Sequence, residues 1–185
     1  MPGISSSELQ KHLKFETVNF VTQLAFNNES YNELLTADYT YANKSVAEHY
    51  GLSSVNSDDS WEKRDYIGNN NDDRRGVIGH ASFLSSRATT TGSNPIKRGV
   101  FIRNNIMCQE FTVAVAGVDN KNIVDTDTEA DIVRKHTEDP GCQFCHQFID
   151  GVGFGFEFYG SDGNRRLQEL TKSETDPYQD VSADG

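Results

Sequence analysis

Apolar residues recur at helical spacing first across residues 5–27, where Leu9, Leu13, Phe20, Val21 and Leu24 define one stripe. Ser5 with Glu8 reads as a capping box that opens this helix. A short helix is predicted over residues 31–35, and another over 39–50 that stops at Gly51, a natural C′ residue. Residues 53–75 are polar, with Asn69-Asn70-Asn71-Asp72-Asp73 at their centre, and predict a loop and a domain boundary. Trp61 and Tyr66 are the anchors that would pin this loop to the body. A helix over 75–85 and a Ser/Thr/Gly loop over 86–93 follow. Asn94 as N-cap and Pro95 at N1 then open a helix that runs to about residue 108. Weak alternation over 112–116 predicts one short strand. Thr126 with Glu129 forms a second capping box for a helix reaching His136, which Asp139-Pro140-Gly141 breaks. The glycine-aromatic run 151–160 reads as irregular. The class is mostly α, a multi-helix chain with long irregular loops.

Composition bounds the function. The chain has 185 residues, enough for one ordinary domain or two small ones, and eleven Phe and seven Tyr supply core material. Its net charge of −11 argues against nucleic acid, which is bound by neutralising phosphates, and helps keep the chain soluble. No apolar run approaches the length of a membrane span. Three cysteines are an odd count and do not suggest a disulfide scaffold.

The chemistry concentrates in Cys142-Gln143-Phe144-Cys145-His146, the spacing of c-type haem attachment. Two thiols three positions apart lie on one side of a helical turn, where each can bond a vinyl group. The adjacent His146 then serves as proximal iron ligand. Two other readings of the same residues stand beside this one. A zinc site would add His136 or Cys108 to the two cysteines and His146. A redox dithiol would call for a βαβ setting, which this chain lacks.

The surroundings of the motif carry a resemblance. His136-x-x-Asp139-Pro140-x-Cys142-x-x-Cys145-His146, the run from Ile149-Asp150 to Glu157-Phe158, and Gly163-x-Arg165-Arg166 resemble the end of an uncharacterised domain of planctomycete-type exported cytochrome-like proteins. Residues 75–84 and 93–99 resemble that domain's opening; residues 34–43 and 49–51 resemble the companion domain before it. The chain departs from the pattern at Gln109-Glu110-Phe111-Thr112-Val113, where the family often has prolines, and at Ile149, where it frequently has Met. The resemblance implies a companion domain over 1–70, a haem-attachment domain over 74–170, and a further truncated domain or tail from 171 to 185. A cytochrome c-like haem segment follows as the expected fold of the second part. The expected role is single-electron transfer within a larger exported, periplasmic protein, toward an unknown redox partner and the other domains of the parent chain.

A haem iron needs a sixth site. No Met follows Met107, so Met107 and His136 are the distal candidates, with His80 behind them. An open distal site would instead suit a haem enzyme or a gas- or peroxide-reactive sensor. Phe144 and Phe148, with Phe154, Phe156 and Phe158, are candidate haem walls. Arg165 and Arg166 are candidate propionate partners, with Arg98 and Arg103 as weaker versions of the same idea.

Overall fold

The computed structural model describes residues 1, 3–68, 73–89, 92–110, 124, 126–138, 140–166, 168–171 and 179–182. About half of the described residues are helical, and helices outweigh the two small two-stranded sheets. No described helix is long and apolar enough to cross a membrane.

The first helix, α1 (Ser7–Phe26), is capped by Ser6, whose hydroxyl accepts the Leu9 amide at 3.3 Å. The cap therefore lies one residue beyond the expected Ser5. Leu13, Glu16, Phe20 and Leu24 fall at i, i+3, i+7 and i+11 and are the buried stripe. A single turn, α2 (Glu33–Thr36), follows. Residues 39–50 do not form one helix as the spacing suggested. Tyr39-Thr40-Tyr41-Ala42 is strand β1, rich in aromatic and β-branched side chains. Asn43 then accepts the Val46 amide at 3.0 Å and starts α3 (Lys44–Tyr50). Gly51 closes α3 with φ 65°, the left-handed conformation the sequence called for.

The polar stretch 53–75 holds a second strand, β2 (Glu62–Asp65), antiparallel to β1 with Tyr39 opposite Asp65 and Ala42 opposite Glu62. Its alternation was invisible because all four residues are charged. Tyr66 is fully buried and Trp61 packs on the core cluster and on Phe15, ring centroids 4.9 Å apart.

Residues 75–85 divide at His80, whose extended backbone separates a 3₁₀ turn (Val77–Gly79) from α4 (Ala81–Ser86). Asn94 caps α5 (Pro95–Phe101), accepting the Lys97 amide at 2.9 Å, and the chain continues as a π turn over Ile102–Ile106. Helix α6 (Glu129–His136) has a capping box, though built from Thr128 and Asp131 rather than Thr126 and Glu129. Helix α7 (Pro140–Phe154) begins at the proline expected to break its predecessor, as suits a residue with no amide to donate. It carries on into the glycine-aromatic run, helical to Phe154. Strands β3 (Gln168–Thr171) and β4 (Gln179–Ser182) pair antiparallel. The strand expected over 112–116 lies outside the described residues.

Helices α5 and α7 cross at backbone contact distance. A Cβ on Gly99 would lie 2.3 Å from the Ile149 carbonyl oxygen, and one on Gly153 would lie 2.2 Å from the Pro95 carbonyl oxygen. Gly99→Ala tests this crossing. Helix propensity favours Ala by about 1 kcal/mol, whereas forcing two packed backbones apart costs about 1–3 kcal/mol or more. The clash should win, and thermal melting should show a less stable protein; a higher melting temperature would refute the close crossing.

Candidate functional site

Helix α7 carries Cys142, Cys145 and His146. At about 100° per residue, Cys142, His146, Ile149 and Gly153 form one stripe, with Cys145 on its flank. Ile149 and Gly153 are the contacts with α5, so that packing turns the motif stripe inward. Cys142 and Cys145 are half-buried free thiols and His146 is buried.

His146 is held at the edge of its ring. Its Nδ1 lies 2.7 Å from the Asp150 carboxylate one turn later. Burial pushes the Asp150 carboxyl above its ordinary range, against the opposing pull of His146. With Nδ1 donating to Asp150, Nε2 keeps its lone pair, the arrangement that orients an imidazole toward a metal. The spacing of Asp150, four residues on, was a signal the sequence offered and the motif reading did not use.

The chemistry of this donor set fits a c-type haem. Two unbonded thiols and an imidazole whose Nδ1 is already engaged share one helix face, with the thiols accessible enough to react. The other candidates fall in varied places. His136, at the end of α6, stands edge-on to His146 with centroids 5.0 Å apart. Two imidazoles sharing one iron from opposite faces hold their centroids roughly 6 Å apart or more, given metal–nitrogen bonds of about 2 Å. His136 is thus a neighbour beside the His146 ring. Met107 is exposed, at the end of the π turn. Arg103, in that turn, donates to the Phe148 carbonyl at 2.8 Å and ties the segment to α7.

Phe144 and Phe148 meet edge to face, centroids 5.9 Å apart, and are exposed. The helix turn puts Phe144 roughly 160° around from His146, so this pair lines the outer surface of α7. Arg165 is ion-paired with Asp73 at 3.0 Å and Arg166 with Glu157 at 2.6 Å. Arg98 is fully buried and donates to the carbonyls of Phe156, Tyr159, Leu84 and Gly160, clamping the turn that follows α7.

His80 belongs to a separate buried polar cluster. Its Nδ1 meets the Thr17 hydroxyl at 2.9 Å, and its Nε2 lies 3.9 Å from Glu16. Glu16 accepts from Thr40 at 2.7 Å and from Tyr50 at 2.8 Å. Arg74 lies over the Tyr50 and Tyr159 rings, at 4.3 Å and 4.7 Å, and donates to the Gly79 and Gly163 carbonyls. His49 approaches the Asp162 carbonyl at 3.1 Å, and His12 stands 3.8 Å from Asp58. These contacts weld α1, β1 and α3 to the segment that bears the motif.

Comparison with known proteins finds two family matches along the chain. Residues 2–52 match PSD4, Protein of unknown function (DUF1592), a stretch that spans α1 through α3. No curated protein and no solved structure matches the chain. The match to PSCyt3 spans residues 74–169, from the buried Arg74 through the whole of α7. With more than half of its length matched, the chain belongs to the PSCyt3 family, Protein of unknown function (DUF1588).

Proposed function

We propose that Cys142 and Cys145 anchor a covalently attached haem c, that His146 is its iron ligand, and that the domain passes single electrons. The observation that carries this reading is the His146–Asp150 pair, 2.7 Å apart, on the helix face that also bears both thiols. Each thiol would add its S–H across one vinyl group, forming a thioether with no atom lost and no oxidant needed. Asp150 fixes the imidazole tautomer and strengthens its basicity. Packing of α7 on α5 holds the three groups in register. Bound there, the haem would supply a one-electron iron couple tuned by burial and by its axial ligands. The reading places the protein outside the cytoplasm, within an exported cytochrome-like parent, since attachment to such a motif occurs there in bacteria.

The test is production in a haem-maturation-competent host, followed by pyridine haemochrome spectra and intact mass. One haem per chain is expected, lost when Cys142 and Cys145 are both replaced by Ala. Absence of covalent haem would sink the proposal. Tight carbon monoxide binding by the reduced protein at neutral pH would favour an open-sited haem enzyme or sensor over an electron carrier.

One observation favours a second reading. The His136 ring lies beside His146, the pair a zinc staple with Cys142 and Cys145 would use, although among the described residues no three such side chains are gathered closely enough to hold a metal ion. One zinc per chain, with no haem, would select it.

A further inference from the structure

On the side of α5 turned away from α7, a cleft of about 520 Å³ opens between the end of α4 and the π turn. That volume lies within the range of small-molecule sites. Ile96, Val100 and Phe101 provide apolar walls, and Arg87 and Lys97 bring positive charge.

The charge is out of keeping with the rest of the chain, which carries 28 Asp and Glu against 17 Lys and Arg. Arg64, Arg134, Arg165 and Arg166 each pair with a carboxylate. Arg87 and Lys97 have no carboxylate partner among the described residues, despite that acidic excess.

Arg87 is also held in place. Its guanidinium lies 3.6 Å from the centre of the Phe101 ring and 4.6 Å from that of Phe83, and donates one bond to the Ser86 hydroxyl at 2.6 Å. A guanidinium carries five N–H donors in a fixed fork, so this contact leaves enough for a bidentate acceptor. Ordering the side chain beforehand removes much of the entropy cost of binding. Partial burial lowers the Arg87 pKa from its ordinary value, and the group stays cationic at neutral pH. At the far end, Asn105 sits within the π turn, its amide donating to the Phe101 carbonyl at 3.0 Å; such a local widening frequently marks functional positions.

We propose that this cleft binds a small carboxylate with an apolar body, its carboxylate bridging Arg87 and Lys97 and its hydrocarbon part lying on Ile96, Val100 and Phe101. The pairing follows from the two features together. A bare inorganic anion would leave the apolar walls unused, and a neutral hydrocarbon would leave two cations uncompensated. The site is independent of the haem reading, because α5 presents Gly99 to α7 and its other side to the cleft.

The test uses the 185-residue chain, with 4-phenylbutyrate as probe and 4-phenylbutan-1-ol as its neutral counterpart, followed by amide chemical shifts. Saturable shifts confined to the α4–α5 region are expected with the acid, with a dissociation constant of about 1 mM or below. The alcohol should bind about tenfold more weakly, and Arg87→Gln should weaken the acid by about tenfold or more. Lys97 is exposed, so Lys97→Gln should fold normally and lower affinity by about threefold, an effect that added salt abolishes in the wild type. Equal binding of acid and alcohol would overturn the proposal, as would no saturation by 10 mM acid (roughly tenfold above the expected constant). Saturation by a polyglutamate peptide alone would assign the cleft to an acidic partner chain and equally refute it.

Discussion

Arg98→Met is expected to lower stability by about 4 kcal/mol or more, one of the largest effects of any single substitution in this chain. The guanidinium is fully buried and forks to four carbonyl oxygens, at 2.8–3.3 Å, from Phe156, Tyr159, Gly160 and Leu84. Two of these keep a backbone donor in the variant, since the Tyr159 amide donates to Phe156 and the Gly163 amide to Gly160. The carbonyls of Tyr159 and Leu84 would lose a charged donor inside the core, at about 1–3 kcal/mol each. Met fills the volume and supplies no proton. Glu157 would be spared, because Arg166 pairs with it at 2.6 Å. For a chain of this size the loss corresponds to a melting temperature lower by roughly 8–16 °C. Arg98→Lys should recover only part of it, because an ammonium cannot span four acceptors. A melting temperature within about 2 °C of wild type would mean that the clamp contributes little, since each kcal/mol moves it by about 2–4 °C.

The second large effect depends on pH. Burial raises the Glu16 carboxyl from 4.5 to about 7, against hydrogen bonds from Thr40 and Tyr50 and the charge of Arg74. A carboxyl whose folded pKa lies above its unfolded value stabilises the protein fully below pH 4.5, and that contribution is lost as pH rises to 7. The loss is roughly 3 kcal/mol. His80 acts in the opposite sense. Burial lowers it from 6.5 to about 3, so its contribution is present above pH 6.5 and lost as pH falls toward 3. Between pH 4.5 and 6.5 the two slopes oppose each other, and the wild type should be nearly level there. Glu16→Gln removes one slope. The variant should gain stability from pH 4.5 to 6.5 and then hold it, so that its difference from wild type shifts in its favour by roughly 3 kcal/mol between pH 4.5 and 8. Denaturant unfolding at pH 4.5, 6.5 and 8 measures this. Parallel curves for the two proteins would show that Glu16 does not titrate in the folded state as its burial requires.

Both effects arise from polar groups that the sequence does not mark as buried. Glu16 sits at the right spacing to join Leu13, Phe20 and Leu24, but a lone carboxylate on an apolar stripe can equally reach solvent. Its partners Thr40, Tyr50 and His80 are 24, 34 and 64 positions away. Local periodicity carries no information about such contacts. The same holds for Arg98, whose acceptors lie mainly some 60 residues downstream.

Local signals were legible where the physics is local. Gly51 as a left-handed stop, Asn94 with Pro95 as a helix start, and the buried face of α1 all depend on residues within a turn or two. The capping residues of α1 and α6 were misplaced by one or two positions, because Ser5, Ser6 and Ser7, or Thr126 and Thr128, are chemically equivalent candidates. Strand β2 has no sequence signal, because four charged residues carry no hydrophobic period; only pairing with β1 defines it.

For the candidate site, the sequence alone determined which three side chains share a helical turn, since the Cys142–Cys145–His146 spacing fixes that on any helix. It could not determine which way that turn faces. Helix α7 is apolar on more than one side, with Phe144 and Phe148 competing with Ile149 for the core. The tertiary structure decided the matter through glycine: Gly99 and Gly153 let two backbones approach to a distance no side chain permits. That contact turns His146 inward to Asp150 and leaves the two phenylalanines exposed.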